Sequence, residues 1–107
     1  MELHHIRIRV PLDQVAAWDA HVAAEFAKLR APDGFALVVG KDTEEPGLYH
    51  FTSVLAERER NFREVRAAGG GELLLHPLLA RFNAEIVSRD RGTVQGLATP
   101  AWTHPAG

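Results

Sequence analysis

Residues 3–10 read Leu3-His4-His5-Ile6-Arg7-Ile8-Arg9-Val10, and they alternate strictly toward their end. In an extended chain successive side chains point to opposite faces. Ile6, Ile8 and Val10 therefore share one face, and His5, Arg7 and Arg9 share the other. This is a strand with an apolar side and a charged side, and Pro11 ends it. The apolar side asks for a layer of helices. The charged side must meet either solvent or a second polar surface.

Working outward, Asp13 reads as a helix N-cap with Leu12 before it as a staple. Val15, Trp18, Val22, Phe26 and Leu29 then recur at helical spacing, with alanines in the gaps. Trp18 belongs to this apolar stripe, and His21 falls off it toward the surface. Ala31-Pro32-Asp33-Gly34 stops the helix. Phe35–Val39 is a short apolar strand, and Gly40 to Gly47 carries the turn Lys-Asp-Thr-Glu-Glu-Pro-Gly. Leu48–Leu55 returns as the second arm of a hairpin. Residues 56–68 form a charged surface helix, interrupted by Gly69-Gly70-Gly71. Helical spacing resumes from Leu73 to Ile86 through Leu75, Leu78, Leu79 and Phe82, with Pro77 suited to the first turn. Thr93–Thr99 is the last candidate strand. Residues 1–99 make one domain and 100–107 a tail with two prolines and a terminal glycine.

The order β-α-β-β-α-β, with the usual handedness of crossovers, gives an α+β ferredoxin-like fold. Its four-stranded antiparallel sheet places strands one and three at the centre and both helical regions on one face. The 107 residues fit a single domain. A core of that size is modest, so pairing of two chains through the open sheet faces is expected to help it.

Composition narrows the function classes. Twelve basic residues, ten of them arginine, face fourteen acidic ones, a net of −2. No basic excess points to nucleic acid or a membrane surface. There is no cysteine, hence no disulfide, thiolate metal site or thiol nucleophile. No apolar run approaches a membrane span, and no stretch has the regions of a signal peptide, so a cytoplasmic location is expected. His4 and His5 are adjacent on a strand and diverge, and no helical His-x-x-x-His pattern is present, so no metal site is expected. No nucleotide-binding glycine loop and no Gly-x-Ser-x-Gly elbow occurs. An enzyme on this chain would work without a cofactor.

The candidate chemistry lies on the sheet. His5, Arg7 and Arg9 line the open face if their apolar alternates meet the helices. There histidine can move a proton and arginine can hold an enolate oxygen. His50 either joins that face or, with Leu48, Thr52 and Val54 as its alternates, points at the helices. Tyr49 and Phe51 flank it as candidate substrate contacts. His76 opens the last helix and Asn83 follows two turns on, the other two candidate contacts.

In element order, and in Leu75-His76-Pro77-Leu78-Leu79-Ala80-Arg81-Phe82-Asn83, the chain resembles the dimeric α/β-barrel superfamily over roughly residues 3–99. That superfamily includes small polyketide cyclases, antibiotic-biosynthesis monooxygenases and stress-responsive barrels. The His76-Pro77-Leu78 helix start is similar to that of the cyclases. Leu48-Tyr49, the His4-His5-Ile6 opening and the Gly40-Lys41-Asp42 turn add smaller likenesses. In the stress-responsive barrels a first-strand histidine and a tyrosine handle the proton transfers. His5 matches the former by position, while Tyr49, the sole tyrosine, is no clear match for the latter. The glycine triplet lengthens the stretch before His76. Val54-Leu55 stand where the monooxygenases carry a tryptophan. The resemblance implies a homodimer acting on a small molecule without cofactor or metal. The leading expectation is polyketide cyclisation by proton abstraction next to a carbonyl. The alternatives are a monooxygenase that uses the substrate carbanion to activate oxygen, and a ligand-binding barrel without catalysis.

Overall fold

The computed structural model describes residues 1–67 and 75–96. Its elements are β1 (Glu2–Arg9), a 3-10 turn (Leu12–Gln14), α1 (Val15–Lys28), β2 (Phe35–Lys41), β3 (Leu48–Leu55), α2 (Arg58–Ala67), α3 (Leu75–Phe82) and β4 (Glu85–Thr93). The four strands form one antiparallel sheet in the order β2-β3-β1-β4. The expected fold class and the central placing of β1 and β3 both stand. The glycine triplet and the tail lie outside the described residues, as do residues 97–99 of the expected last strand.

The alternation of β1 sorts as its sequence demands. Ile8 and Val10 are fully buried against the helices, with Ile6 packed beside them. Trp18 of α1 sits at the centre of this core. Its ring lies 5.3 Å from Tyr49, 6.0 Å from Phe51 and 5.6 Å from Phe82, centroid to centroid, and the latter two are met edge-on. His21 is half-buried rather than on the surface, its ring 5.4 Å from that of Phe82.

Three boundaries differ from the sequence expectation. Asp13 does not cap α1: it lies in the 3-10 turn, and the residue before the helix, Gln14, makes no side-chain cap bond. The last helix ends at Phe82, not at Ile86. Asn83 adopts a left-handed backbone (φ 53°), a common way to stop a helix, and the Ala84 N–H closes back on the Leu79 carbonyl at 3.0 Å. The last strand accordingly starts at Glu85, well before Thr93. Its register slips between Arg7 and Ile8, where Val87 is the extra residue of a bulge.

Gly47 fixes the hairpin against the end of β1. Its φ is +82°, and its carbonyl accepts the Val10 N–H at 2.7 Å. A Cβ there would stand 2.7 Å from the Val10 carbonyl oxygen. Gly47→Ala thus combines left-handed strain with a backbone clash. It should lower stability by at least about 1–2 kcal/mol, read from urea unfolding.

Candidate active site

The open face of the sheet carries two rows of side chains across its centre. Gly40, His50, Arg7 and Ser88 form one row from β2 to β4, and Val38, Thr52, His5 and Asp90 form the next. Cross-strand partners share a face, so the position of Arg7 decides that of His50. The ambiguity left by the sequence is resolved in favour of the open face. Gly40 has no side chain and nothing within 4 Å of where a Cβ would be, which leaves space beside His50.

His5 reaches diagonally across the strands to His50, with His5 Nε2 3.0 Å from His50 Nδ1. The ring planes are parallel within 1° and the centroids are 5.2 Å apart. With nitrogens in contact at that separation, the rings lie end to end rather than face to face. His50 Nε2 in turn lies 2.9 Å from Asp42 Oδ1. The other Asp42 oxygen accepts the backbone N–H groups of Glu44 (3.1 Å) and Glu45 (2.8 Å). The hairpin turn therefore holds this carboxylate rigidly. At the far end, His5 Nδ1 is 3.8 Å from Asp90 Oδ2. The two imidazole side chains are about a third exposed, 34% and 32%.

These contacts assign the protons. An ionised Asp42 can only accept, so His50 carries its proton on Nε2. Neutral His50 then accepts at Nδ1, and His5 must donate from Nε2. The lone pair left over is on His5 Nδ1, on the open face beside Asp90. A proton taken up there makes an imidazolium with a carboxylate at each end of the chain. The arrangement follows the logic of a carboxylate-oriented histidine base, extended by one imidazole.

The His50 hydrogen bond, helped by the Glu45 and Glu44 N–H groups, holds the Asp42 carboxyl well below its ordinary value of 3.8, at about 2. A pKa depressed in the folded state stabilises the fold above the unfolded value and loses that contribution as pH falls through the folded one. Acid unfolding of the wild type should therefore show a component between about pH 4 and pH 2 that is missing from Asp42→Asn. Circular dichroism along a pH series checks it.

The remaining candidates divide. Arg7 is half-buried on the open face and donates from Nε to Ser88 Oγ at 2.8 Å, which leaves its other N–H groups to meet an anionic oxygen. Arg9 shares the face, but its guanidinium is paired with Glu45 (Nη2 to Oε1, 2.9 Å) at the hairpin. Tyr49 and Phe51 do not join the site. Because His50 faces out, its neighbours face in, and they are 3% and 4% exposed in the core. The Tyr49 hydroxyl donates to Asp19 Oδ1 at 2.6 Å. Burial and this bond raise its pKa far above the usual phenol value. Burial works against the charge of Asp19, yet hydrogen bonds from Lys41 and Tyr49 outweigh it and hold its carboxyl below the usual range. Asn83 is exposed, and its backbone serves to end α3. The His76 side chain lies outside the described residues. Asp42, Asp90 and Ser88 are the participants that the sequence reading missed. Asp42 stood out only as a turn residue, and Ser88 and Asp90 fall between the expected helix, which ran to Ile86, and the expected strand from Thr93.

Among the described residues no three histidine, aspartate or glutamate side chains are grouped to hold a metal ion, and no described helix is long and apolar enough to cross a membrane. No family model matches the sequence, and no curated protein does. Solved structures do match. HapK from Hahella chejuensis is 20% identical with a TM-score of 0.62, covering 95% of this chain and 100% of its own. A protein from Deinococcus radiodurans, provisionally assigned as an antibiotic biosynthesis monooxygenase, is 16% identical with a TM-score of 0.58, covering 96% and 100%. A variant of SnoaB, a cofactor-independent oxygenase from Streptomyces nogalater, is 17% identical with a TM-score of 0.51, covering 90% and 95%. At these identities the likeness concerns the backbone, and by it this chain has the ferredoxin-like fold that the antibiotic-biosynthesis-monooxygenase-like proteins share.

Proposed function

We propose that this chain is a cofactor-independent small-molecule enzyme in which His5 removes a proton from carbon next to a carbonyl or phenolic group, and molecular oxygen consumes the carbanion. The observation that carries this reading is the Asp42–His50–His5 chain of contacts, which uses His5 Nε2 and leaves His5 Nδ1 on the open face. Arg7, the cross-strand neighbour of His50, holds the enolate oxygen in this reading. The carbanion passes an electron to oxygen, and recombination gives a peroxide on the same carbon. The proton on His5 returns to that peroxide, and loss of water leaves a new carbonyl. One oxygen molecule converts one CH2 to C=O and water. Oxygen is favoured over cyclisation as the consumer because similar structures are named as an oxygenase and a monooxygenase.

A panel of enolisable phenolic ketones in deuterated buffer tests this. Without oxygen, the protein should speed deuterium exchange at the activated CH2. With oxygen, it should take up one O2 per carbonyl formed. Exchange followed by ring closure without oxygen uptake would give cyclisation in its place. Neither exchange nor uptake above buffer would overturn the reading in favour of a binding protein.

The same chemistry needs water kept from the carbanion. The open face carries exposed Leu3 (38%) and Val38 (65%) around the histidines. A second copy laid sheet to sheet would cover them, and this homodimer is part of the proposal. Light scattering should give about twice the 11.8 kDa chain mass. A monomer at tens of micromolar would contradict it.

A further inference from the structure

A second polar site lies at the β4 edge on the opposite, helix-facing side of the sheet. Arg89 pairs with Ile6 and Arg91 with His4, so both arginines share the face that Ile6 turns to the core. Arg58, the first residue of α2, lines the same hollow. A cavity of about 40 Å³ is lined by His4, Ile6, Arg58, Arg89, Asp90 and Arg91, with room for a few water-sized groups.

The charge here is poorly balanced. Three arginines line it, and His4, which also lines it, is buried. Arg58 stands at the positive end of its helix, where a cation is disfavoured. Arg89 and Arg91 repel each other along one strand face. Glu2 answers part of this: its carboxylate is 2.8 Å from His4 Nε2 and 3.9 Å from Arg91 Nη2. The His4 hydrogen bond holds the Glu2 carboxyl below its ordinary range, and Arg91 and Arg58 act in the same direction. Asp90 also lines the cavity, but its carboxylate serves His5. With Glu2 and Asp90 both counted against the three arginines, one positive charge is left over at a small concave site rich in N–H donors.

We propose that this cavity binds a phosphate-class oxyanion, held by Arg58, Arg89 and Arg91 with His4 at its floor. Guanidinium forks suit the geometry of such an anion and leave its negative charge fully hydrogen-bonded. Its arginines and His4 lie on the other side of the sheet from His5, and the two sites share only Asp90.

Titration of inorganic phosphate, followed by the arginine side-chain N–H resonances, tests it at constant ionic strength. Saturable shifts confined to Arg58, Arg89 and Arg91 are expected. The double variant Arg58→Gln/Arg89→Gln should bind about tenfold more weakly or worse, the scale of a lost charge-assisted hydrogen bond. Both residues are exposed, so its melting temperature without phosphate should match the wild type. Phenyl phosphate binding more tightly than phosphate would identify the anion as the head of a larger molecule, and equal binding would identify a free anion. No saturation, equal affinity in the double variant, or acetate binding as tightly as phosphate would overturn the proposal.

Discussion

His5→Ala should lower turnover by about 100-fold or more, the usual scale of lost acid–base help, while the melting temperature stays near that of the wild type. The base is removed, yet Ile6, Ile8 and Val10 still pack the core, and a side chain already a third exposed leaves no buried cavity. Deuterium exchange without oxygen should fall by the same factor as oxygen uptake, since both begin with the proton that His5 removes. Arg7→Met should behave differently. It spares the base and weakens enolate stabilisation, so exchange and uptake both fall while the pH dependence that belongs to His5 persists. An unchanged rate in His5→Ala would move the base elsewhere.

Asp42→Asn should cost about 1,000-fold, between the acid–base scale and the loss seen when a carboxylate that orients a histidine becomes an amide. The reason is directional. Two backbone N–H groups, from Glu44 and Glu45, fix an acceptor oxygen on one side of residue 42. An asparagine keeps its carbonyl there and turns its NH2 toward His50. His50 Nε2 must then accept, its proton moves to Nδ1, and His5 must accept at Nε2. The proton of His5 is pushed to Nδ1, which blocks the base. One amide thus reverses both rings with little change in shape. Asp42→Ala gives the control: it frees both rings to exchange tautomers and should lose less activity than the isosteric change. The check is the order of the two variants in turnover, with circular dichroism to confirm the fold.

Much of this architecture is legible in the chain, for a physical reason. A strand buried on one side must alternate, and β1 does, so its two faces separate cleanly into core and candidate site. Trp18 and the α1 stripe are legible in the same way. The last strand was not. Ile86 falls at helical spacing from Phe82, and the bulge at Val87 disturbs the alternation that would have revealed β4. The sign that was available is Asn83, a residue that tolerates the left-handed backbone with which α3 ends. The side of His50 was undecidable because its alternates are mostly apolar. Only the pairing of Arg7 with His50 decides it. Asp42 needed still more: the register of β2 on β3, the loop length and the two N–H groups that aim its carboxylate. Pairwise contacts across a hairpin are set by register, and register is a tertiary property.

The ring nitrogens of His5 and His50 report directly on the claim that Asp42 sets the base. Long-range proton–nitrogen correlation on uniformly labelled protein, followed along a pH series, distinguishes the tautomers. The expected result is protonated Nε2 on both histidines, with His5 Nδ1 showing the nitrogen shift of a free lone pair, and reversal of both rings in Asp42→Asn. A proton on His5 Nδ1 in the wild type, or rapid averaging of the tautomers of His50, would contradict it.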